Sequence, residues 1–398
     1  MDSCDALIVG GGPAGSSCAW KLRQAGLEVL VLDRQKFPRD KVCGGWITPP
    51  VLEELELDPG EYARGRVFQP ITGFRTCRMG DDPVETHYER PVSYGIRRCE
   101  FDHYLLERSG VRTQEGEPCD KMERSRQEWV VNGRIRAPLV IGAGGHFCPV
   151  ARFLGARIGK EPIVAAQELE FAMNAREKEE CAVRAEVPEL YFCRDLKGYG
   201  WCFRKQDVLN VGLGRLGGHR LSDHVLRFFR YLKDAGRIPK DSPEGLRGHA
   251  YLLYGSAPRR LVGEGILLIG DAAGLAYSQS GEGIRPAIES GLLAARTILE
   301  AGRRYTAENL DRYRSLIAMR FGTGKDRLSN VAKRVPDWLT GYVGGKLMAT
   351  SWFSRHILID RWFLHSHEPA LEPETAPEAF RHFIHHGDTE YTERHGEF

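Results

Sequence analysis

Two glycine-rich segments, about 260 residues apart, carry the residue types that could hold a dinucleotide. The first is Gly10-Gly11-Gly12-Pro13-Ala14-Gly15, and the second is Gly270-Asp271 followed by Gly281-Glu282-Gly283-Ile284. Glycines at these spacings let a backbone approach a pyrophosphate or a flat ring closely. One glycine-rich loop alone is a weak signal. The two together predict a single dinucleotide, FAD, held by both ends of the chain.

The first segment lies where a strand should end and a helix should begin. Residues 5–10 form an apolar run without a helical period, which predicts a buried parallel strand, and residues 16–25 predict a helix. Gly10 permits the tight turn, Gly12 admits the pyrophosphate, and Gly15 lets the helix pack on the strand. The helix N-terminus then offers N–H groups to the phosphates. The alternative interpretation is a plain turn in an ordinary α/β protein.

A second predicted strand, residues 27–32, leads to Asp33. Its carboxylate can accept hydrogen bonds from both ribose hydroxyls, and an acid here disfavours a 2′-phosphate, so NADP is not expected at this site. In this half of the chain we predict the following contacts to FAD: Gly10, Gly12, Ala14, Gly15, Asp33 and Arg34.

The distal segment repeats the arrangement of strand, loop and helix. Residues 265–269 predict a buried strand, and residues 285–301 predict a long helix with Ala and Leu at helical spacing. Asp271, at the strand end, can hydrogen-bond a ribityl chain or can simply cap a helix. The helix N-terminus can face the pyrimidine end of a flavin, where its dipole stabilises negative charge. We predict contacts to FAD from Asp271, Gly281, Gly283 and Ile284.

With both segments in hand, residues 1–300 resemble the geranylgeranyl reductase family of FAD-dependent oxidoreductases, within the p-hydroxybenzoate hydroxylase fold. Three further segments carry the resemblance: Lys41-Val42-Cys43-Gly44-Gly45, Arg98-Cys99-Glu100-Phe101-Asp102, and Tyr199-Gly200-Trp201-Cys202-Phe203. The resemblance implies that Cys43, Gly44 and Gly45 lie beside the isoalloxazine and that Arg98 touches FAD. It implies a weaker contact from Cys119, near the adenine.

The same resemblance implies an activity. Reduced FAD would deliver a hydride to an isolated carbon–carbon double bond of a polyprenyl or other apolar chain, and Tyr199, Trp201 and Cys43 are the implied catalytic residues. Tyr199 could act as a general acid if it faces the alkene, and Cys43 could pass a proton through water. The alternative interpretation makes the three aromatic residues core side chains on one strand face, and makes Cys43 a packing residue.

Three positions depart from the family pattern. The middle motif, usually Gly-Ala-Asp-Gly, is Gly142-Ala143-Gly144-Gly145, which weakens a role for that loop in contacting FAD or a nicotinamide. Arg204 stands where the aromatic strand usually has Pro, and Trp46 stands where the Cys-Gly-Gly segment usually continues with Gly. A Trp there could narrow the cavity over the flavin, and it allows a substrate unlike the usual prenyl chain.

The predicted fold class is α/β, with a Rossmann-like FAD-binding domain interleaved with a mostly antiparallel β-sheet substrate domain, plus C-terminal helices. The FAD elements are scattered, so we assign residues 1–65, 98–160 and 256–320 to the FAD-binding domain. Residues 66–97 and 161–255 are predicted to be mostly strands, several of which alternate apolar and polar side chains, and to form the substrate-binding sheet. A predicted helix over residues 222–235 interrupts this domain. Residues 321–398 form a C-terminal helical region and tail.

The charge, hydropathy and cysteine spacing of the chain restrict the kinds of partner and compartment that we expect. A formal net charge of +2 gives no indication of a nucleic-acid partner, and no run of about 18 apolar residues predicts a membrane span. The 10 cysteines include no Cys-x-x-Cys pair, and no secretory leader precedes the first strand, so we expect a reducing, cytoplasmic compartment. We predict no metal site, although the tail carries His382, His385 and His386.

The composition of residues 320–361 is relevant to a possible contact with a membrane surface. It combines 8 Lys or Arg residues and 3 acidic residues with several aromatics. This composition suits a peripheral membrane contact, as a lipid substrate would require, or a capping subdomain on the FAD domain, which the interrupting Gly and Pro residues favour.

Other functions stay open at this stage. A flavin monooxygenase acting on an aromatic or polyketide substrate is the alternative enzyme, since the same fold hosts it. A flavin halogenase fits less well, and a non-catalytic flavoprotein is a third class. The electron donor is NAD(P)H or the protein reduced ferredoxin. A second Gly-x-Gly-x-x-Gly, residues 212–217, has no surrounding βαβ unit and is interpreted as a turn at a strand end.

Overall fold

The computed structural model describes residues 1–322, except residues 157, 219 and 244, and residues 337–372; side chains of residues 337–340 are not described. The histidines predicted in the tail, His382, His385 and His386, lie outside the described residues, as does part of the predicted membrane-facing stretch.

The strands, in chain order, are β1 Asp2–Ser3, β2 Ala6–Val9, β3 Val29–Asp33, β4 Trp46–Ile47, β5 Phe68–Ile71, β6 Gly73–Arg78, β7 Val84–His87, β8 Ser93–Ile96, β9 Arg112–Glu115, β10 Met122–Ser125, β11 Glu128–Val131, β12 Ile135–Ala137, β13 Leu139–Gly142, β14 Val164–Ala172, β15 Glu189–Phe192, β16 Gly198–Lys205, β17 Val208–Leu216, β18 Arg247–Tyr251, β19 Val262–Gly263 and β20 Ile266–Leu268.

The helices are α1 Pro13–Gln24, α2 Pro49–Glu54, α3 Pro59–Tyr62, α4 Arg98–Ser109, α5 Pro149–Phe153, α6 Ala175–Glu180, α7 Leu221–Asp234, α8 Ile284–Glu300, α9 Ala307–Leu310, α10 Arg312–Phe321, α11 Asp337–Met348 and α12 Ser351–Phe353. A 3₁₀ turn spans Gly270–Ala272, and a π-helix spans Ser354–Phe363.

A mostly parallel sheet organises the glycine-rich segments. Its six strands lie in the order β19-β20-β13-β2-β3-β9, and only the β19–β20 pair is antiparallel. The strands β2, β13 and β20 are buried along their whole length, and α1 contacts β2 and β3 and packs against α8. Their carboxyl ends meet at one edge, and both glycine-rich segments leave the sheet there.

A second, largely antiparallel sheet faces this edge. Its order is β18-β14-β17-β16-β15-β6-β7, and only the β15–β6 pair is parallel. The helix α7 covers the outer face with Val225, Phe228 and Leu232, and a side chain at Gly200 would collide with the Phe228 ring. The inner face is therefore the one left to the site. The α/β fold class, with both kinds of sheet and C-terminal helices, is confirmed.

Several predicted elements differ at their ends. The helix α1 begins at Pro13 rather than at residue 16, because proline is favoured in a first helical turn. The second Gly-x-Gly-x-x-Gly is not wholly a turn, since Gly212 and Gly214 lie inside β17 and only Gly217 follows it. Gly212 is needed within the strand for packing, because a Cβ at this position would come within 2.3 Å of the Trp201 ring.

The C-terminal elements return to the antiparallel sheet. Leu358, Ile359 and Phe363 of the π-helix are buried in one cluster with Phe74 and Trp201. No helix among the described residues is both long enough and apolar enough to cross a bilayer. All ten cysteines are free thiols.

Candidate active site

One cavity of about 620 Å³ lies between the carboxyl edge of the parallel sheet and the inner face of the antiparallel sheet. It brings together nearly all of the predicted site residues: Gly10, Gly12, Ala14, Asp33, Arg34, Cys43, Gly44, Gly45, Arg98, Cys119, Tyr199, Trp201, Asp271, Gly281, Gly283 and Ile284. Gly15 lies outside the lining. A Cβ there would come within 1.9 Å of Gly10 O, so this glycine serves the packing of α1 on β2.

The first glycine-rich loop is fixed by its neighbours. Gly10 has a φ of +118°, and a Cβ there would come within 2.4 Å of Ala143 O. Gly11 N donates to Asp33 Oδ2 at 2.7 Å. Asp33 is buried and also accepts from Gln35 N, so its carboxylate already holds the loop while it lines the cavity. The predicted contact of Asp33 with ribose would add to this structural role.

These residues fit FAD. A Cβ at Gly12 would meet only Arg39 Nη2, at 3.3 Å, so this backbone is open to the cavity at the N-terminus of α1. From there the lining extends to Asp33, Arg34 and Cys119 on one side and to Asp271 and the N-terminus of α8 on the other. An elongated dinucleotide requires such a cavity, with helix N-termini for its charged groups.

Arg98 is held by the last residue of its own motif. Its Nε and Nη2 donate to the two carboxylate oxygens of Asp102 at 2.7 and 2.8 Å, and Arg39 Nη2 lies 3.2 Å from the same carboxylate. Asp102 is fully buried, and its charge raises the pKa of Arg98 against the opposing effect of burial. The motif therefore keeps a fixed cation at the cavity wall.

A buried polar network that the sequence did not indicate holds the Cys43 loop. Glu168 Oε2 accepts from Cys43 N at 2.8 Å, and Asn210 Nδ2 donates to Cys43 O at 3.3 Å. Asn210 Oδ1 accepts from Trp201 Nε1 at 2.6 Å, so one amide links the loop to the aromatic strand. Burial raises the pKa of Glu168 to about 8. In the same network, Lys205 and Glu170 form a buried ion pair at 3.0 Å.

Lys41, His249 and Asp271 form a charged cluster in the lining. Lys41 Nζ lies 2.6 Å from His249 Nε2 and 3.7 Å from Asp271 Oδ2. Burial lowers the pKa of Lys41 to about 8 and that of His249 to about 4, while His249 and Lys41 lower the pKa of Asp271. Asp271 therefore faces two side chains in the cavity rather than capping a helix. Lys41 belongs to a segment that carries the resemblance, but its contact with His249 was not predicted, because 208 residues separate the two.

An aromatic wall, made of Trp46, Tyr199, Trp201 and Phe203, lines the side of the cavity opposite the glycine-rich loop. The three β16 residues share the inner face of the sheet, while Cys202 packs on the outer side. Tyr199 OH donates to Ser280 O at 2.5 Å, and burial raises the pKa of Tyr199 well above its usual range. The polar groups of the wall are this engaged hydroxyl, the engaged Trp201 indole N–H and the indole N–H of Trp46.

The loop after β13 also reaches the cavity, although it lacks the usual carboxylate. Ala143, Gly144 and Gly145 line the cavity, and Gly145 has a φ of +74°. The loop therefore reaches the cavity through its backbone, and its weaker role in contacting FAD or a nicotinamide stays a prediction.

One cluster elsewhere has the residue types of a metal site. His365, His367 and Glu368 bring their ligand atoms within 4.8 Å of one another, and His365 stacks on Tyr277. Glu368 also accepts from Tyr277 OH, and its backbone oxygen accepts from Arg285. All three potential ligands come from one turn of the C-terminal segment, outside the cavity lining.

Comparisons with known proteins agree with this geometry. A family model for an NAD(P)-binding Rossmann-like domain matches residues 8–60. The chain is 30% identical over 360 residues to the menaquinone reductase of Mycobacterium tuberculosis, covering 85% of each chain. It is 29% identical to the geranylgeranyl diphosphate reductase of Rhodobacter capsulatus, covering 74% of this chain and 75% of the relative.

Solved structures share the fold. A geranylgeranyl bacteriochlorophyll reductase-like protein from Thermoplasma acidophilum superposes with a TM-score of 0.69 at 22% identity, over 98% of each chain. The halogenase PltM, solved in complex with FAD, superposes with a TM-score of 0.63 at 18% identity, over 92% of this chain and 86% of the halogenase. At these identities the likeness concerns the fold alone.

Proposed function

Because this chain belongs to the geranylgeranyl reductase family of FAD-dependent oxidoreductases, we propose that it reduces carbon–carbon double bonds of a polyprenyl or similarly apolar chain. The observation that carries the proposal is that the aromatic wall and the flavin-binding residues line one cavity. Menaquinone and geranylgeranyl diphosphate, for which two relatives are named, both carry polyprenyl chains.

The chain supplies binding and electrostatics, while bound FAD in its reduced form supplies a hydride from N5. Gly12 and the N-terminus of α1 receive the pyrophosphate, Asp33 the ribose, and Asp271 the ribityl chain. The N-terminus of α8, at Ile284, lines the cavity. Its dipole stabilises negative charge that develops on a flavin pyrimidine.

The aromatic wall binds the apolar chain and excludes water from it. Trp46, Trp201 and Phe203 are each less than a tenth exposed, and they offer flat apolar surfaces on the cavity side. Burial of apolar surface is favourable by about 25 cal/mol per Å², so a prenyl segment gains free energy in proportion to its contact with the wall. Trp201 is a binding residue in this account, and Asn210 fixes its orientation.

Saturation of an alkene needs a proton as well as a hydride, and Lys41 Nζ holds a suitable one. Since burial lowers the pKa of Lys41 to about 8 and that of His249 to about 4, the pair carries one proton at neutral pH, on Lys41. The proton of Tyr199 is engaged by Ser280 O, so Tyr199 serves the wall. Cys43 is the alternative donor, because its backbone is fixed beside the same cavity by Glu168.

The test is product mass. The FAD-loaded protein is incubated without oxygen with geranylgeranyl diphosphate or an extracted prenyl quinone, and with dithionite, NAD(P)H or reduced ferredoxin in parallel. A prenyl product heavier by two hydrogens supports the reductase, and the most effective donor identifies the electron source. An unchanged prenyl chain, together with oxygen incorporated from O₂ into an aromatic substrate in a separate aerobic incubation, would instead assign the alternative monooxygenase activity.

A peripheral membrane contact is the second part of the proposal, because an apolar substrate resides in a lipid phase. Tyr342, Val343, Leu347 and Trp352, on α11 and the adjoining α12, expose 44–65% of their surface. We call these four residues the apolar patch. Residues 338–359 contain Lys346 and Arg355 but no Asp or Glu. Asp337 and Asp360 flank this range. Exposed apolar side chains beside cations suit the surface of an anionic bilayer.

Vesicle co-sedimentation tests this contact. A Leu347→Ser, Trp352→Ser double variant should lose most of its binding to vesicles of anionic phospholipid. Met319→Ser is the matched control, because Met319 is 76% exposed but lies on α10, outside the apolar patch. Equal binding by the double variant and the wild type would eliminate the apolar patch as the contact.

A further inference from the structure

Trp46 forms a boundary between the cavity and the core behind it. Its indole is 7% exposed and stacks on Phe203, with ring centroids 5.0 Å apart and planes inclined by 18°. Phe74 and Phe363 meet the indole edge-on, each with centroids 5.7 Å away. Trp46 and Phe203 line the cavity, whereas Phe74 and Phe363 do not. The indole therefore has the cavity on one side and packed aromatic rings on the other.

The region behind the indole is filled by the C-terminal segment. Leu358, Ile359 and Phe363, all from the π-helix, are essentially inaccessible to solvent. The Phe363 ring also packs against Tyr199, at a centroid distance of 5.2 Å. Among the described residues, the space behind Trp46 is thus protein core, so the cavity ends at this indole.

We propose that Trp46 is a stop that sets how far a polyprenyl chain enters, and therefore which of its double bonds is reduced. This inference rests on the proposed function and deepens it. In an open tunnel a chain could slide by one isoprene unit after each reduction and present its next double bond. Against a stop, the leading end of the chain rests on the indole, and only the bond at a fixed distance from that end reaches the reacting position.

The chemical consequence is a single, defined product. A hydride from reduced FAD adds to one alkene carbon and a proton adds to the other, so the substrate gains two hydrogens and FAD returns to its oxidised form. After this step the same chain, seated against the same stop, presents a saturated unit. A second reduction of that molecule is therefore disfavoured.

The experiment compares wild type and Trp46→Ala with geranylgeranyl diphosphate under anaerobic conditions and excess dithionite. Mass spectrometry counts the hydrogens gained per molecule, and fragmentation locates the saturated unit. Wild type should give predominantly one product that has gained two hydrogens. Trp46→Ala should give at least a tenfold larger fraction of products with four or more added hydrogens, or should move the saturated unit along the chain.

Two further variants control for damage to the fold. Trp46→Phe keeps an aromatic ring at the stop and should restore the wild-type product pattern. Trp129→Ala removes another buried indole, one that donates to Glu264 O outside the cavity lining, and it should leave the pattern unchanged. If Trp46→Ala does not fold, Phe203→Ala replaces it, because the Phe203 ring stacks on the indole and supports its position.

The outcomes separate the inference from the function on which it rests. Wild-type protein that saturates every double bond would overturn the stop while leaving the reductase intact. A folded, active Trp46→Ala with the wild-type product pattern would overturn it too. Wild-type protein that reduces no prenyl chain with any donor would instead overturn the proposed function.

Discussion

Gly12→Val separates cofactor binding from folding more cleanly than changes at the neighbouring glycines. Gly12 has φ −74° and ψ −177°, an extended conformation that valine adopts without strain. Its Cβ would meet only the far end of Arg39 in the protein and would otherwise project towards the pyrophosphate site. The folded apoprotein should therefore tolerate the valine, whereas bound FAD should not.

The size of the effect follows from the hydrogen bonds that the displaced pyrophosphate would lose. A hydrogen bond to a charged group contributes about 1.5–3 kcal/mol, so the loss of two costs about 3–6 kcal/mol. At about 1.4 kcal/mol per factor of ten, FAD affinity should fall by about 10²- to 10⁴-fold. Titration of apoprotein with FAD, followed by flavin fluorescence, measures this change directly.

The control is thermal unfolding of the two apoproteins, which should agree within a few degrees. Gly15→Ala provides the contrast, since its Cβ would come within 1.9 Å of Gly10 O and should destabilise the apoprotein itself. A Gly12→Val protein that purifies yellow, fully loaded and with wild-type FAD affinity would refute the assignment of this loop to the pyrophosphate.

Two more predictions concern pH and stability. Because the pKa of Lys41 is about 8, the kcat/KM of the reductase should fall as pH rises through 8. The Lys41→Met variant should be slow, and its pH profile should lack this fall. An unchanged fall in the variant would assign the proton to another group. Glu289 is fully buried and accepts from Arg285 Nε at 2.7 Å and Arg320 Nε at 2.9 Å, so Glu289→Gln should cost about 3–5 kcal/mol in chemical denaturation. Glu300→Gln, at an exposed pair on the same helix, should cost under about 1 kcal/mol, and equal losses would contradict the argument.

The flavin-binding half could be largely predicted because its signals are local. Gly10, Gly12 and Asp33 follow short apolar strands, and the carboxyl ends of parallel strands necessarily meet at one edge. The predicted alternation along residues 199–203 likewise follows from the pleat of a strand, which sends successive side chains to opposite faces.

The polar environment of the site could not be predicted in this way. Glu168 and Asn210 meet because β14 and β17 pair in one particular register, which no local pattern reveals. The contact of Lys41 with His249 depends on how the two sheets face each other. Trp46 could be identified from the sequence as a departure from the family pattern. Its position between the cavity and the core became visible only with Phe363 packed behind it.

The central claim is tested most directly by a single turnover without oxygen. The FAD-loaded protein is reduced with one equivalent of dithionite and mixed with a prenyl substrate in a stopped-flow instrument, and the return of oxidised-flavin absorbance is compared with the amount of product. Reoxidation that matches one saturated double bond per flavin is the predicted result. Flavin that stays reduced in the presence of every prenyl substrate, and is reoxidised only when oxygen enters, would contradict the account.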